Sequence, residues 1–254
     1  MKKLIIFEQP LNEHMRACLR LEHLYSQLNL NISNPEPEAS RTTIMALLEI
    51  LNVVDRPDIK TKFTKVLSQI SIHYSQLASL PQVDKEKLND LLNDINSVRN
   101  QLVNLHGKLG QELHGNEFLT SIRMHMNNPG GACDFSLPGF KLWLEKPFEN
   151  RFHDLQNWCQ YIQLIENVTN KILKVTRDCK QLKSFVAEDG FFQQGLDPNA
   201  NGELVRVRLP GDIYYPEISV GKHRMSIRFN MLNGDGRPKQ TNDDIPFEMA
   251  YCCF

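Results

Sequence analysis

The hydrophobic periodicity of the chain changes near residue 184, and this change constrains the fold more than any other feature. Before it, apolar residues recur every three or four positions, which is the spacing of one helix face. After it, apolar and polar residues alternate at 205–209, 225–231 and 247–251, which is typical of strands with one buried face. The sequence therefore predicts an α+β fold, mainly a helical bundle with a small antiparallel β-domain.

A short apolar run at residues 4–7 suits a buried strand, although it lies far from the other predicted strands. Pro10 ends it, because proline offers no N–H to a β-ladder. Since no partner strand lies nearby, we predict that this strand joins the C-terminal sheet. The predicted organisation is an N-terminal strand at 1–10, a helical domain at 11–182, and a β-domain at 183–254.

Several helices between these regions are predicted from their apolar positions and caps. Ser40 and Asp84 are candidate N-caps for two of them. The helix after Asp84 carries an apolar seam of Leu88, Leu91, Ile95, Val98, Leu102 and Leu105. So short a seam indicates either packing within the bundle or a helix–helix contact in a dimer. No Gly or Pro lies between Phe148 and Lys183, which predicts one continuous helix roughly 45 Å long.

Composition and motifs exclude several classes of function. The formal net charge is −1, whereas a general nucleic-acid binder is usually more basic, so we expect no nucleic-acid partner. No catalytic motif is present, and the six cysteines include no C-x-x-C pair, so we expect no enzyme activity, no metal and no cofactor. Pro129-Gly-Gly lacks the lysine of a phosphate-binding loop, and we interpret it as a turn. With no signal peptide and no long apolar stretch, we expect a cytoplasmic protein that does not contact the membrane.

The first helix places two arginines, Arg16 and Arg20, one turn apart. Like charges at this spacing repel by a few tenths of a kcal/mol, so something negative should lie near them. One interpretation is a pair of structural salt bridges, with Glu13 as one partner. The other is a site for an acidic peptide or a phosphate.

A second group of arginines alternates with apolar residues on the predicted strands, in a region where positive charge exceeds negative. These residues are Arg206, Arg208, Arg224 and Arg228. They could serve solubility and protect a sheet edge, or form a positive groove for an acidic, partly disordered partner, because arginine binds carboxylates bidentately. A nucleic-acid-binding or other scaffold role for this face is the alternative function, although few aromatic residues alternate with these arginines.

Five motifs together resemble the ZapD family of bacterial cell-division proteins. They are Phe7-Glu-x-Pro-Leu-Asn-Glu-x-Met-Arg16-x-x-Leu-Arg20-x-Glu22, Pro129-Gly-Gly-x-Cys-x-Phe-x-Leu-Pro138, Gly190-Phe-x-Gln, Pro216-x-Ile-Ser and Ile227-Arg-Phe. They occur in the family's order and span essentially the whole chain. The resemblance implies a helical domain plus a small β-domain, assembled as a symmetric homodimer without enzyme activity.

The resemblance also implies a partner and a basic binding groove. The partner is the C-terminal tail of FtsZ, the tubulin-like division protein, whose filaments the family bundles at the midcell division ring. Arg20 matches the groove most directly, and charge adds further candidate partner-binding residues: Arg16, Arg123, Lys141, Arg206, Arg224 and Arg228. The family carries arginines near 114–117, where this chain has His114-Gly-Asn-Glu117.

Overall fold

A computed structural model describes most of the chain. The described residues are 3–79, 83–126, 128, 131, 133–232 and 236–254. The turn predicted at Pro129-Gly-Gly has its first two residues outside this part of the chain. Among the described residues, none of the helices combines the length and the apolar composition of a membrane-spanning segment.

The chain divides into two compact units, which we call the sheet unit and the helical unit. The sheet unit contains Met1–Arg16 and Leu173–Phe254, and the helical unit contains Ala17–Ile172. Helices precede a region of antiparallel strands, so the predicted α+β class is confirmed. The domain boundaries expected at residues 10 and 182 stay a prediction.

The described helices account for the N-terminal and central parts of the chain. They are α1 (Glu13–Asn31), α2 (Pro37–Val54), α3 (Ile59–Leu77), α4 (Lys85–Asn104), α5 (Gln111–His114), α6 (Glu117–His125), α7 (Pro138–Leu144), α8 (Phe148–Cys159) and α9 (Gln163–Asp178). The single helix predicted after Phe148 is interrupted by a 3-10 turn at Gln160–Ile162. There the Tyr25 hydroxyl donates a 2.8 Å hydrogen bond to the Ile162 carbonyl, which gives that carbonyl a partner outside the helix ladder.

One predicted helix cap is confirmed and the other is wrong. Asp84 accepts a hydrogen bond from the backbone N–H of Lys87 and caps α4. Ser40 does not cap α2, because that helix already begins at Pro37, where proline suits the first turn. Ser40 is instead fully buried and accepts a hydrogen bond from Arg151.

The apolar seam of α4 packs inside the helical unit. Leu88, Ile95 and Leu102 are buried, and α4 packs against α3. Packing within the bundle is therefore confirmed for these three residues. The other three seam residues, Leu91, Val98 and Leu105, are partly exposed, so a dimer contact through that part of the seam stays a prediction.

The strands of the sheet unit form two antiparallel sheets rather than one. They are β1 (Leu4–Pro10), β2 (Lys183–Ala187), β3 (Phe191–Gly195), β4 (Gly202–Pro210), β5 (Tyr214–Val220), β6 (Arg224–Leu232), β7 (Pro238–Gln240) and β8 (Ile245–Cys253). The first sheet has the order β1-β4-β8-β2, and the second has the order β3-β6-β5, with β7 also paired to β6. The predicted pairing of the N-terminal strand is confirmed, because β1 pairs with β4 from Leu4↔Pro210 to Pro10↔Leu204. The expected burial of this strand is wrong, because β1 lies at the edge of its sheet and Leu4 and Ile6 are exposed.

Both sheets direct their apolar faces into one core. Val207 and Phe247 from the first sheet pack in the same buried cluster as Ile227 and Phe229 from the second. The alternation of apolar and polar residues along β4 and β6 follows from this arrangement, because successive side chains point to opposite faces of a strand. The strand arginines consequently lie on the outer faces of the two sheets.

Candidate partner-binding surface

A mostly polar stripe runs along the solvent-facing side of α2 in the helical unit. It consists of Arg41, Met45, Glu49, Asn52 and the C-cap residue Asp55, which follow one another at three- or four-residue spacing and are partly or fully exposed. The opposite side of α2 is buried in the core of the unit. We call this row the α2 stripe. Arg20 of α1 and Arg123 of α6 contact it directly, and Lys141 of α7 is linked to it through Asp134, which also binds Arg41.

Arg20 reaches the α2 stripe from α1. Its Nη2 lies 2.9 Å from Oε2 of Glu49, and the two side chains are 61% and 41% exposed. Ion pairs this exposed contribute about 0 to 1 kcal/mol to stability, because water and salt screen them. Arg20 can therefore exchange Glu49 for an outside carboxylate at little cost.

Arg123 reaches the other end of the stripe from α6. It forms an ion pair with Asp55, and its Nε donates a 2.7 Å hydrogen bond to Oδ1 of Asn52. His114 Nε2 lies 2.5 Å from the second carboxylate oxygen of Asp55. Asp55 thus holds two basic groups at once, and His114 occupies the region where the resembled family carries arginines. A histidine supplies positive charge there only when it is protonated.

Lys141 of α7 belongs to a network at the start of the stripe. Its Nζ lies 2.7 Å from Glu145 and 3.3 Å from Asp134, and Asp134 also accepts a 2.9 Å hydrogen bond from Arg41. The hydrogen bonds to Glu145 and Asp134 raise the pKa of Lys141. The hydrogen bond from Arg41, followed by that from Lys141, lowers the pKa of Asp134. Both shifts favour the charged forms.

Along the α2 stripe, basic side chains form ion pairs with carboxylates of the chain itself. The basic side chains include three residues predicted from the sequence to bind a partner, namely Arg20, Arg123 and Lys141. The fourth is Arg41, which belongs to the stripe itself. Facing them are the carboxylates of Glu49, Asp55, Asp134 and Glu145. The stripe is therefore close to neutral, not the net positive groove expected from the arginines alone. An acidic ligand would bind it by replacing internal carboxylates.

Arg16 belongs to the sheet unit. Its Nη1 lies 3.1 Å from Oε2 of Glu13, and both side chains are well exposed. The predicted salt bridge to Glu13 is confirmed. A binding role for Arg16 stays a prediction.

Arg206 is tied into the sheet unit. Its Nε and the guanidinium of Arg177 both bind the carboxylate of Glu8, and its Nη1 donates a 2.9 Å hydrogen bond to the Arg177 carbonyl. The Arg206 side chain is only 16% exposed. These contacts join β1, β4 and the end of α9, and of the predicted binding residues Arg206 is the least available to a partner.

The strand arginines do not share one surface, contrary to the sequence interpretation. Arg206 and Arg208 lie on the outer face of the first sheet, where Arg208 forms an ion pair with Glu248. Arg224 and Arg228 are exposed on β6, on the outer face of the second sheet. The four separate because both sheets turn their apolar faces to one core. Partner binding by Arg206, Arg224 and Arg228 stays a prediction.

The described residues contain no group of three or more His, Cys, Asp or Glu side chains arranged to hold a metal ion. The arrangement of the α2 stripe suits recognition of carboxylates. Its arginine and lysine side chains lie in a row, and each of them forms an ion pair with a carboxylate.

Comparison with known proteins gives a consistent result over the length of the chain. The model of a family described as "ZapD: Cell division protein" matches residues 19–228. A protein named "Cell division protein ZapD" from Coxiella burnetii (strain RSA 493) is 44% identical, over 98% of this chain and 97% of the relative. Proteins of the same name from Ralstonia nicotianae and Cupriavidus pinatubonensis are 35% and 33% identical, each over 99% of this chain and 100% of the relative.

Proposed function

The chain belongs to the ZapD family of cell division proteins, and on this premise we propose that it binds the C-terminal tail of FtsZ and bundles FtsZ filaments at the midcell division ring. The observation that carries the proposal is the exposed ion pair between Arg20 and Glu49. Arg20 is the residue that best matches the family's basic groove. In this structure its guanidinium already binds a carboxylate that is exposed to solvent.

The α2 stripe suggests how an acidic tail would bind. A tail carboxylate replaces Glu49 on Arg20, so one exposed ion pair is exchanged for another and the net gain is small. A disordered tail also loses conformational entropy when it is ordered on a surface. Both effects keep the affinity of a single site modest. Further contacts to Arg123 and Lys141 along the stripe would add to it.

Bundling requires one particle to hold two filaments, and we propose a symmetric homodimer with one α2 stripe in each subunit. A two-fold dimer is the commonest assembly of soluble proteins and supplies this bivalency. Many weak contacts repeated along a filament then act together, and the overall avidity far exceeds the affinity of one site. Light scattering tests the dimer: the expected mass is twice the 29.4 kDa of the chain. A monomer that binds tail peptide without bundling filaments would contradict it.

Filament pelleting tests the proposed function directly. Addition of the protein to FtsZ filaments should increase the bundles recovered at low centrifugal force. Filaments of FtsZ that lacks its C-terminal tail are the matched control and should stay unbundled. The protein should bundle less as salt rises, because the Debye length falls from about 30 Å at ~0.01 M to about 8 Å at ~0.15 M. Equal bundling of tailless filaments would show that the tail is not the partner.

A further inference from the structure

His114 of α5 lies at the end of the α2 stripe, where it shares one carboxylate with Arg123. Its Nε2 is 2.5 Å from Oδ1 of Asp55, and the Arg123 guanidinium binds Oδ2 of the same carboxylate. The side chains of His114, Asp55 and Arg123 are 27%, 23% and 29% exposed. Water and salt therefore screen these contacts less than they screen the more exposed pair of Arg20 and Glu49.

The hydrogen bonding of the His114 ring shows where a second proton would bind. The carboxylate of Asp55 also binds an arginine, so it is ionised and only accepts hydrogen bonds, and Nε2 of His114 carries the hydrogen between them. The other ring nitrogen, Nδ1, is buried and has no hydrogen-bond partner among the described residues. A second proton therefore binds at Nδ1. The hydrogen bond to Asp55 then stays in place and becomes charge-assisted.

Charged groups of α2, α5 and α6 surround this ring. An opposite charge favours an imidazolium and a like charge disfavours it, so Asp55 and Arg123 act on the ring in opposite senses. Glu112 on α5 and Glu117 in the first turn of α6 are exposed. Arg56, which follows Asp55, has a carboxylate of its own at 3.7 Å. Of these groups, Asp55 is the one that the described contacts place against the imidazole.

We propose that His114 makes the α2 stripe pH-sensitive, so that the stripe binds an acidic tail more tightly when the imidazole is protonated. Histidine is the side chain that ordinarily changes its charge between about pH 5 and 8. While His114 is neutral, Arg123 balances the charge of Asp55. Once His114 is charged, two cations share that one carboxylate, and the positive charge in excess is available to a carboxylate of the tail.

This regulation rests on the proposed binding of the FtsZ tail to the α2 stripe. The stripe is otherwise close to neutral, so one added positive charge changes its attraction for an acidic ligand. The ligand itself keeps its charge over the same range, because ordinary carboxyl groups have pKa values near about 4. The dependence on pH therefore comes from the stripe and not from the carboxylates of the tail.

Titration of a tail peptide by fluorescence anisotropy tests the regulation. The affinity of the wild-type protein should rise about two- to fivefold as the pH falls from about 8 to about 5.5, which is the effect of one partly screened charge contact. His114→Gln keeps a donor for Asp55 but cannot take up a proton, and it should lose this rise. His153→Gln is the matched control and should keep it, because His153 is an exposed histidine that contacts Asn157 on its own helix, α8. Equal pH dependence in wild type and His114→Gln would overturn the proposal.

The charge of the ring can also be observed without a partner. In proton–nitrogen NMR spectra of the labelled wild-type protein, His114 should carry a hydrogen on Nε2 alone at about pH 8 and on both ring nitrogens at about pH 5.5. A ring that stays neutral at about pH 5.5 would overturn the proposal whether or not the tail binds. If the ring titrates as expected but the tail binds at no pH in this range, the proposed function fails, and the regulation that rests on it fails as well.

Discussion

Exchanging Arg20 for glutamate is expected to abolish filament bundling and to weaken binding of an FtsZ tail peptide by about tenfold, since an exposed ion pair worth up to about 1 kcal/mol is replaced by repulsion between like charges. The new carboxylate would face Glu49, which now lies 2.9 Å from the Arg20 guanidinium, and two like charges would then repel an acidic tail. Peptide titration by fluorescence anisotropy and filament pelleting measure the two effects. The free energy of unfolding should change little, because the side chain is exposed.

A matched pair of amide variants decides whether Arg20 binds the tail or only Glu49. Arg20→Gln and Glu49→Gln both remove the same ion pair. If Arg20 contacts the tail, Arg20→Gln weakens peptide binding, whereas Glu49→Gln releases the arginine and strengthens binding, by about two- to fivefold for an exposed pair. If the pair is only structural, the two variants behave alike. Equal binding by both would therefore remove Arg20 from the proposed site.

The main outline of the fold could be predicted from hydrophobic patterns. That β1 joins the C-terminal sheet followed from an apolar run that had no neighbour in sequence, although its pairing with β4 was not predicted, and α4 was recognised by its Asp84 cap and apolar seam. The strands β3, β5 and β7 were missed. β5 contains Pro216, which weakens a strand signal although a proline is tolerated at a sheet edge, and β7 has only three residues.

Only the basic residues of the candidate surface could be predicted from the sequence. Arg20, Arg123 and Lys141 stood out by charge, but their carboxylates did not, because an acidic residue on a helix face usually contacts only water. The pairs join positions far apart: Arg20 and Glu49 are separated by 29 residues, and Arg123 and Asp55 by 68. Only the packing of α1, α2 and α6 reveals that the stripe is internally neutralised. Arg151 was missed for the same reason.

Arg151 provides the largest expected effect on stability. It is 3% exposed on α8, and its described hydrogen-bond acceptors are all neutral. They are the Ser40 hydroxyl at 2.6 Å and the carbonyls of Pro35 at 2.6 Å, Lys146 at 3.1 Å and Glu36 at 3.4 Å. One guanidinium thus joins the start of α8 to the segment that leads into α2.

Arg151→Met should lower the free energy of unfolding by about 3 kcal/mol. Methionine fills much of the same volume but donates no hydrogen bond, so several buried acceptors would lose their partner at about 1 kcal/mol or more each. Urea denaturation followed by circular dichroism measures the change as a shift in midpoint at constant slope. Arg20→Met, the same substitution at an exposed arginine of the helical unit, is the control and should change stability by at most about 0.5 kcal/mol.

The opposite result would also be informative, because burying a cation is costly in itself. If Arg151→Met is as stable as wild type, the hydrogen bonds of Arg151 only offset the loss of its hydration. If it is destabilised as expected, the bonds to Pro35 and Ser40 fix the first turn of α2 and with it the residues of the α2 stripe. Tail binding by the folded fraction of Arg151→Met should then weaken too, whereas Arg151→Lys, which keeps the charge and some of the donors, should retain more of both properties.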